Sequence, residues 1–86
     1  IEPKIDISPN PANDYINIKV GILEDDNYEL IIRDIDSKII MRKNLSYLKS
    51  GDYNFDLSTK NLKTGIYNLT ITNKRFIFKS ILMINK

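Results

Sequence analysis

The sequence has no cysteine, no histidine and no tryptophan, and only three glycines and three prolines among 86 residues. Without cysteine there is no disulfide and no thiolate metal site to reinforce so small a fold. Without histidine or cysteine, the Ser–His and Cys–His pairs of nucleophilic catalysis are excluded. A Ser–Lys pair survives on composition, but nothing marks one out. No apolar run is long enough to span a bilayer as a helix, and no signal peptide with an apolar stretch opens the chain. The chain starts at Ile1-Glu2-Pro3 without an initiator methionine. It therefore reads as a piece of a longer protein, with any N-terminal export signal upstream.

What is present is β-forming. Isoleucine dominates the apolar residues, and β-branched and aromatic side chains suit pleated, half-buried surfaces. A chain of this length is one domain, 1–86, and buries only about 60% of its unfolded surface, so its stability margin is thin. Charge is unevenly placed. Residues 1–36 hold nine acids and three bases, whereas residues 37–86 hold two acids and ten bases. That asymmetry points either to an anionic partner for the final hairpin or to lysines guarding sheet edges.

Alternation along the chain predicts seven short strands roughly ten residues apart. Lys4 to Ser8 is the first. Pro9-Asn10-Pro11-Ala12-Asn13-Asp14 ends it, because two prolines remove ladder donors and Asn13-Asp14 favour a turn. Tyr15 to Val20 alternates again, and Gly21 to Asn27 reads as a solvated loop. Tyr28 to Asp34 and Lys38 to Asn44 are joined by a turn at Asp36-Ser37, with Ile31-Ile32 and Ile39-Ile40 leaving the inward face open. Leu45 to Ser50 is a connection. Gly51 to Leu57 places Tyr53, Phe55 and Leu57 inward. Ser58 to Thr64 crosses over, with one helical turn at Ser58 to Asn61.

The last hairpin is the most regular stretch. A two-residue turn at Asn73-Lys74 would pair Ile71 with Phe76, Leu69 with Phe78 and Tyr67 with Ser80, all on an apolar face. Thr70, Arg75, Ile77, Lys79, Ile81 and Met83 would lie on the other. The pattern as a whole predicts an immunoglobulin-like antiparallel β-sandwich, favoured over a barrel. Leu57, Leu62, Gly65 and Tyr67 match the corner at which a tyrosine hydroxyl bonds nearby backbone in such folds.

Three blocks also carry a family resemblance. They are Ile7 to Ile16 with its Pro-Asn-Pro-Ala core, Ile32-Arg33-Asp34-Ile35-Asp36-Ser37-Lys38-Ile39-Ile40, and Leu62-Lys63-Thr64-Gly65-Ile66-Tyr67 with the final strand. In this order and spacing they resemble the type A C-terminal sorting domain of the type IX (Por) secretion system of Bacteroidetes. Two departures stand out: Ser37 replaces the usual glycine, and the tail from Ser80 to Ile84 is more apolar than the usual basic ending. The resemblance implies a secretion signal carried by an upstream cargo, with residues 1–3 as linker. It also implies recognition by translocon components and passage from the periplasm to the surface or medium. Removal by a sortase-like peptidase, at a bond upstream of or among Ile1 to Lys4, would follow, with the cargo joined to an anionic lipopolysaccharide anchor or released.

The candidate recognition residues are Pro9, Asn10, Pro11, Ala12, Asp34, Gly65, Tyr67, Lys74, Arg75, Lys79 and Lys86. Each also has a structural reading. The Pro-Asn-Pro-Ala segment ends one strand and launches the next, and Asp34 binds turn amides. Gly65 supplies a positive φ or a close approach, and Tyr67 packs at the corner. Lys74, Arg75, Lys79 and Lys86 point outward, and the Ile77-Ile81-Met83 stripe beside them invites docking or dimerisation.

No enzyme activity, cofactor or metal is expected. Asp25-Asp26 and Asp34/Asp36 read as turn carboxylates, and Glu24-Asp25-Asp26 lacks EF-hand spacing. Nucleic acid is not expected, because the bases are not interleaved with exposed aromatics. The alternative reading is a resident surface module acting as spacer, adhesin or carbohydrate binder, with Tyr15, Tyr28 and Tyr47 as its aromatic candidates.

Overall fold

A computed structural model describes residues 5–86. The expected strand at Lys4 and the cleavage region Ile1 to Lys4 lie outside them in whole or part. Seven strands follow one another: β1 (Ile5–Ser8), β2 (Tyr15–Ile22), β3 (Asp26–Arg33), β4 (Ile39–Leu48), β5 (Gly51–Ser58), β6 (Gly65–Thr72) and β7 (Ile77–Ile84). They form a three-stranded sheet, β1-β2-β5, and a four-stranded sheet, β4-β3-β6-β7, with antiparallel pairing throughout. This is the expected sandwich.

The core lies between the sheets. Ile16, Ile18, Val20 and Ile22 of β2 and Leu57 of β5 meet Tyr28, Leu30 and Ile32 of β3, Tyr67, Leu69 and Ile71 of β6, and Phe78, Leu82 and Ile84 of β7. The period-2 spacing of these residues puts each set on one face, so alternation in sequence becomes a layer in space. Tyrosine hydroxyls at the layer's margins are satisfied by one repeated device. Tyr28, Tyr53 and Tyr67 each donate to the carbonyl four residues earlier, of Glu24, Lys49 and Lys63, at 2.8, 2.7 and 2.7 Å. The corner expected at Tyr67 is therefore present.

Several local expectations are corrected. The β6–β7 turn is longer than two residues: Asn73 N–H donates to the Phe76 carbonyl (3.1 Å), and Asn73 Oδ1 accepts from the amides of Arg75 and Phe76. The asparagine side chain thus organises a wider loop, and Ile71 pairs with Phe78, Leu69 with Ser80 and Tyr67 with Leu82. The register moves by two, not one, so every side chain keeps its expected face. Phe76 leaves the ladder and is half-buried at the core's margin.

Leu45 to Leu48 belong to β4, which continues past the expected end, and β2 and β3 extend to Ile22 and from Asp26. No helical turn forms at Ser58 to Asn61; a turn closed by Leu62 N–H on the Thr59 carbonyl (3.0 Å) stands there. Thr70 faces outward yet is buried, as is its register partner Ile31. Both sit on central strands, flanked by Arg42 and Lys79, whose long aliphatic stems are placed to shield them. Of the two isoleucine pairs, the one on β3 turns Ile32 into the core, whereas Ile39 and Ile40 of β4 are both exposed.

Candidate recognition surface

The residues singled out by sequence divide between two ends and one face of the sandwich. Register places the starts of β2 and β6 and the ends of β1, β3, β5 and β7 at the same end. That end gathers Pro9 to Ala12, Asp34, Gly65, Tyr67 and Lys86.

The Pro-Asn-Pro-Ala segment does more than turn the chain. Both of its X-Pro bonds, Ser8-Pro9 and Asn10-Pro11, are cis. Asn10 donates through Nδ2 to the Ile81 carbonyl (3.0 Å) and accepts the Met83 amide on Oδ1 (2.9 Å). Ala12 continues this contact as a parallel bridge to Ile84. Its amide donates to the Met83 carbonyl (2.7 Å), and its carbonyl accepts the Asn85 amide (2.8 Å). Proline cannot join a ladder, so a side-chain amide and one residue of backbone seal this edge of β7 instead. Pro9, Asn10 and Pro11 are exposed, while Ala12 is buried in the core.

The loop is anchored a second time through Thr59, which sequence reasoning did not single out. Thr59 is fully buried; its hydroxyl donates to the Asn13 carbonyl (3.0 Å), and its amide to the Asp14 carbonyl (2.8 Å). The only available signal was a threonine directly after an alternating strand. Lys86 then closes the network. Its Nζ donates to the Thr59 and Lys60 carbonyls at 3.0 and 2.8 Å, and its amide to Thr64 Oγ1 at 3.0 Å. Lys86 was expected to be outward and available; it is instead a cation holding turn carbonyls, which carry partial negative charge and need a donor.

Asp34 behaves as its turn reading required. Its Oδ1 accepts from the amides of Asp36 (2.9 Å) and Lys38 (3.0 Å), while Ser37 adopts φ 66°. The hairpin is thus a turn followed by a left-handed residue, a place that favours glycine. Gly65 departs from expectation. Its φ is not in the left-handed region, and a Cβ there would meet nothing nearer than 3.9 Å, an ordinary contact with the Tyr67 ring. It is a strand residue.

At the opposite end, Arg75 pairs with Glu24 (3.3 Å) and lies over the Phe76 ring, 5.9 Å from its centroid. Asn73 Nδ2 reaches Asp26 Oδ2 at 3.2 Å. Arg75 is exposed but engaged, whereas Lys74 is exposed at the loop tip. Tyr28, an aromatic candidate in the carbohydrate-binding reading, is buried and stacked on Phe78 at 6.5 Å, so it is removed from any platform. Burial and the nearby Asp26 and Glu24 carboxylates push its phenol pKa upward.

Between the ends lies the outer face of the four-stranded sheet. Lys79, Ile77, Ile81 and Met83 project from β7 as expected, and Ile66 stands beside Met83 on β6. This apolar stripe is the largest on the last two strands, with one lysine inside it.

The chain matches the family model described as the secretion system C-terminal sorting domain over residues 6–85. It belongs to that type IX sorting family. The match covers nearly the whole of 86 residues, so the blocks that carried the resemblance are parts of one domain. Comparison with curated proteins found no match. As a member of a type IX family of Bacteroidetes, the sorting domain is a C-terminal secretion signal whose protein is exported to the cell surface or medium, and it works with the type IX machinery and an attached cargo. Among the described residues no helix is long and apolar enough to cross a membrane, and no cluster of acidic side chains is arranged to hold a metal.

Proposed function

We propose that the sorting domain is read as a folded surface, through the outer stripe of β7. The observation that supports this most is exposure: Ile77 at 62%, Ile81 at 56%, Ile66 at 55% and Met83 at 38% form a continuous row around Lys79. A stripe of that kind on a monomer marks a contact site. The Asn10 and Ala12 contacts hold the same strand in place from its edge, so the stripe is presented rigidly. Translocon components dock on it after the cargo has reached the periplasm. The domain acts as ligand and substrate, not as catalyst. A sortase-like peptidase then cuts upstream of the first sheet, near residues 1–4, and joins the cargo to anionic lipopolysaccharide or releases it.

The test is a reporter fusion. A periplasm-directed fluorescent protein carrying this chain is expressed in a type IX-competent bacterium, beside Ile77→Ser/Ile81→Ser and a strain without the translocon. Surface or medium reporter that disappears in both arms supports the reading. Export of the double variant at the parent level would remove the stripe from it. Intact parent fusion retained in the periplasm would favour a resident surface module.

A further inference from the structure

A sandwich of two open sheets has four edges, and three of them here are guarded. Among the described residues β1 is four residues long, Ile5–Ser8. β7 is sealed towards its C-terminus by Asn10 and Ala12. β4 is broken by two register shifts, and Lys43, paired with Leu30, is placed on the interior side of that edge. Short strands, bulges and inward-facing charges are the means by which edges are kept from pairing with other chains.

β5 has none of these. It pairs with β2 over eight residues, Tyr15↔Ser58 through Ile22↔Gly51, without a shift, and it holds no proline and no base. The Thr59 amide bonds the Asp14 carbonyl in continuation of this register. In an antiparallel ladder alternate residues turn both backbone groups to the same neighbour. The odd-numbered residues therefore face β2, and Asp52, Asn54, Asp56 and Ser58 turn their N–H and C=O groups to the open side.

The side chains beside that edge are also sorted. Asp52 and Asp56 are the only charges between Gly51 and Ser58, and both lie on the outer face. On the other face Tyr53 and Phe55 stack at 6.0 Å and remain half-exposed at the margin of the core. At the end of the strand a cleft opens between Asp14, Tyr15, Asp56, Leu57, Ser58 and Lys60. We propose that β5 is an acceptor edge which takes up an extended strand from a partner protein, one that alternates basic with apolar side chains. The basic residues meet Asp52 and Asp56 on the outer face, one of them at the cleft beside Asp56, and the apolar ones extend the Tyr53–Phe55 layer. Main-chain bonds supply the pairing, and side-chain alternation supplies the selectivity. This edge is separate from the β7 stripe, so failure of either idea leaves the other standing.

The test uses the full chain, isotopically labelled, with two capped eight-residue peptides, one alternating Val with Lys and one alternating Val with Glu. The Val/Lys peptide should slow amide exchange at Asp52, Asn54 and Asp56 at least about tenfold, since those amides gain partners. The Val/Glu peptide should not. Asn54→Pro removes an open-side donor but no bond to β2, a place where edge proline is tolerated; it should abolish the protection, while Asn54→Ala should keep it. Should Asn54→Pro fail to fold, Asp52→Lys/Asp56→Lys leaves the backbone intact and should weaken peptide binding at least about tenfold. Unchanged exchange at millimolar Val/Lys peptide would overturn the proposal. So would protection centred on Lys79, or protection that grows with protein concentration alone, which would make a second copy the occupant.

Discussion

Asn10 stands in for a strand beside Met83: one side-chain amide both receives the Met83 N–H and donates to the Ile81 carbonyl, at 2.9 and 3.0 Å. A proline-flanked residue thereby satisfies an edge that its own backbone cannot pair. Asn10→Ala should destabilise the domain by about 1–2 kcal/mol, the net worth of two hydrogen bonds at a partly solvated site. Asn10→Asp, which keeps the acceptor and loses the donor, should fall between. Urea unfolding measures the loss, and faster exchange of the Met83 amide would localise it. Parent-like behaviour of both would show that the edge does not depend on the side chain.

Ser37 and Gly65 make opposite predictions about glycine. Ser37 holds φ 66° in the β3–β4 hairpin, a conformation costing a side-chain-bearing residue about 1–2 kcal/mol. Ser37→Gly should therefore stabilise, less the extra unfolded-state entropy of glycine, by about 0.5–1 kcal/mol. Gly65 has no such φ and has room for a methyl group, so Gly65→Ala should be neutral or slightly stabilising. Gly51, at φ 142°, is the control: Gly51→Ala should cost more than about 1 kcal/mol. Thermal melts of the three variants decide the matter.

Lys86 should behave as a structural residue. Lys86→Met keeps the stem but removes the donor from the Thr59 and Lys60 carbonyls. A loss of about 1–3 kcal/mol is expected for charge-assisted bonds, with faster amide exchange in the turn after β5. A freely solvated lysine would give no change.

Tyr28 makes stability sensitive to alkali. Burial first, then Asp26 and Glu24, raise its pKa above the ordinary phenol value of 10.0. Between the unfolded and folded pKa values the native state holds a proton that the unfolded chain has lost. Stability therefore falls as pH rises in that window. The contribution is complete below about pH 10 and is lost as pH climbs through the folded value. Tyr28→Phe should be less stable at neutral pH, because the bond to Glu24 goes, but its stability should decline less steeply above about pH 10. Denaturant titrations across that range would show parallel slopes if the phenol were not responsible.

Much of this molecule was written in period 2. Residues such as Ile16, Ile18, Leu69 and Ile71 alternate with polar neighbours, and alternation alone placed them in the core and named a seven-stranded sandwich. Asp34 and Tyr67 were also legible, because their bonds are local: the carboxylate reaches amides two and four residues on, and the hydroxyl a carbonyl four residues back. Faces were more secure than registers, since the wider Asn73 loop shifted the last hairpin by an even number and left Ile77 and Ile81 outward.

What tertiary structure alone decided is the work of side chains whose partners are distant in sequence. Asn10 meets β7 across 71 and 73 positions, Thr59 meets Asn13 across 46, and Lys86 meets Thr59 across 27. Nothing local distinguishes such residues from solvated polar ones, because their bonds exist only after two sheets have packed. The open edge of β5 is of the same kind. Its composition was visible in the sequence, but its freedom follows from which strands the fold placed beside it and which it did not.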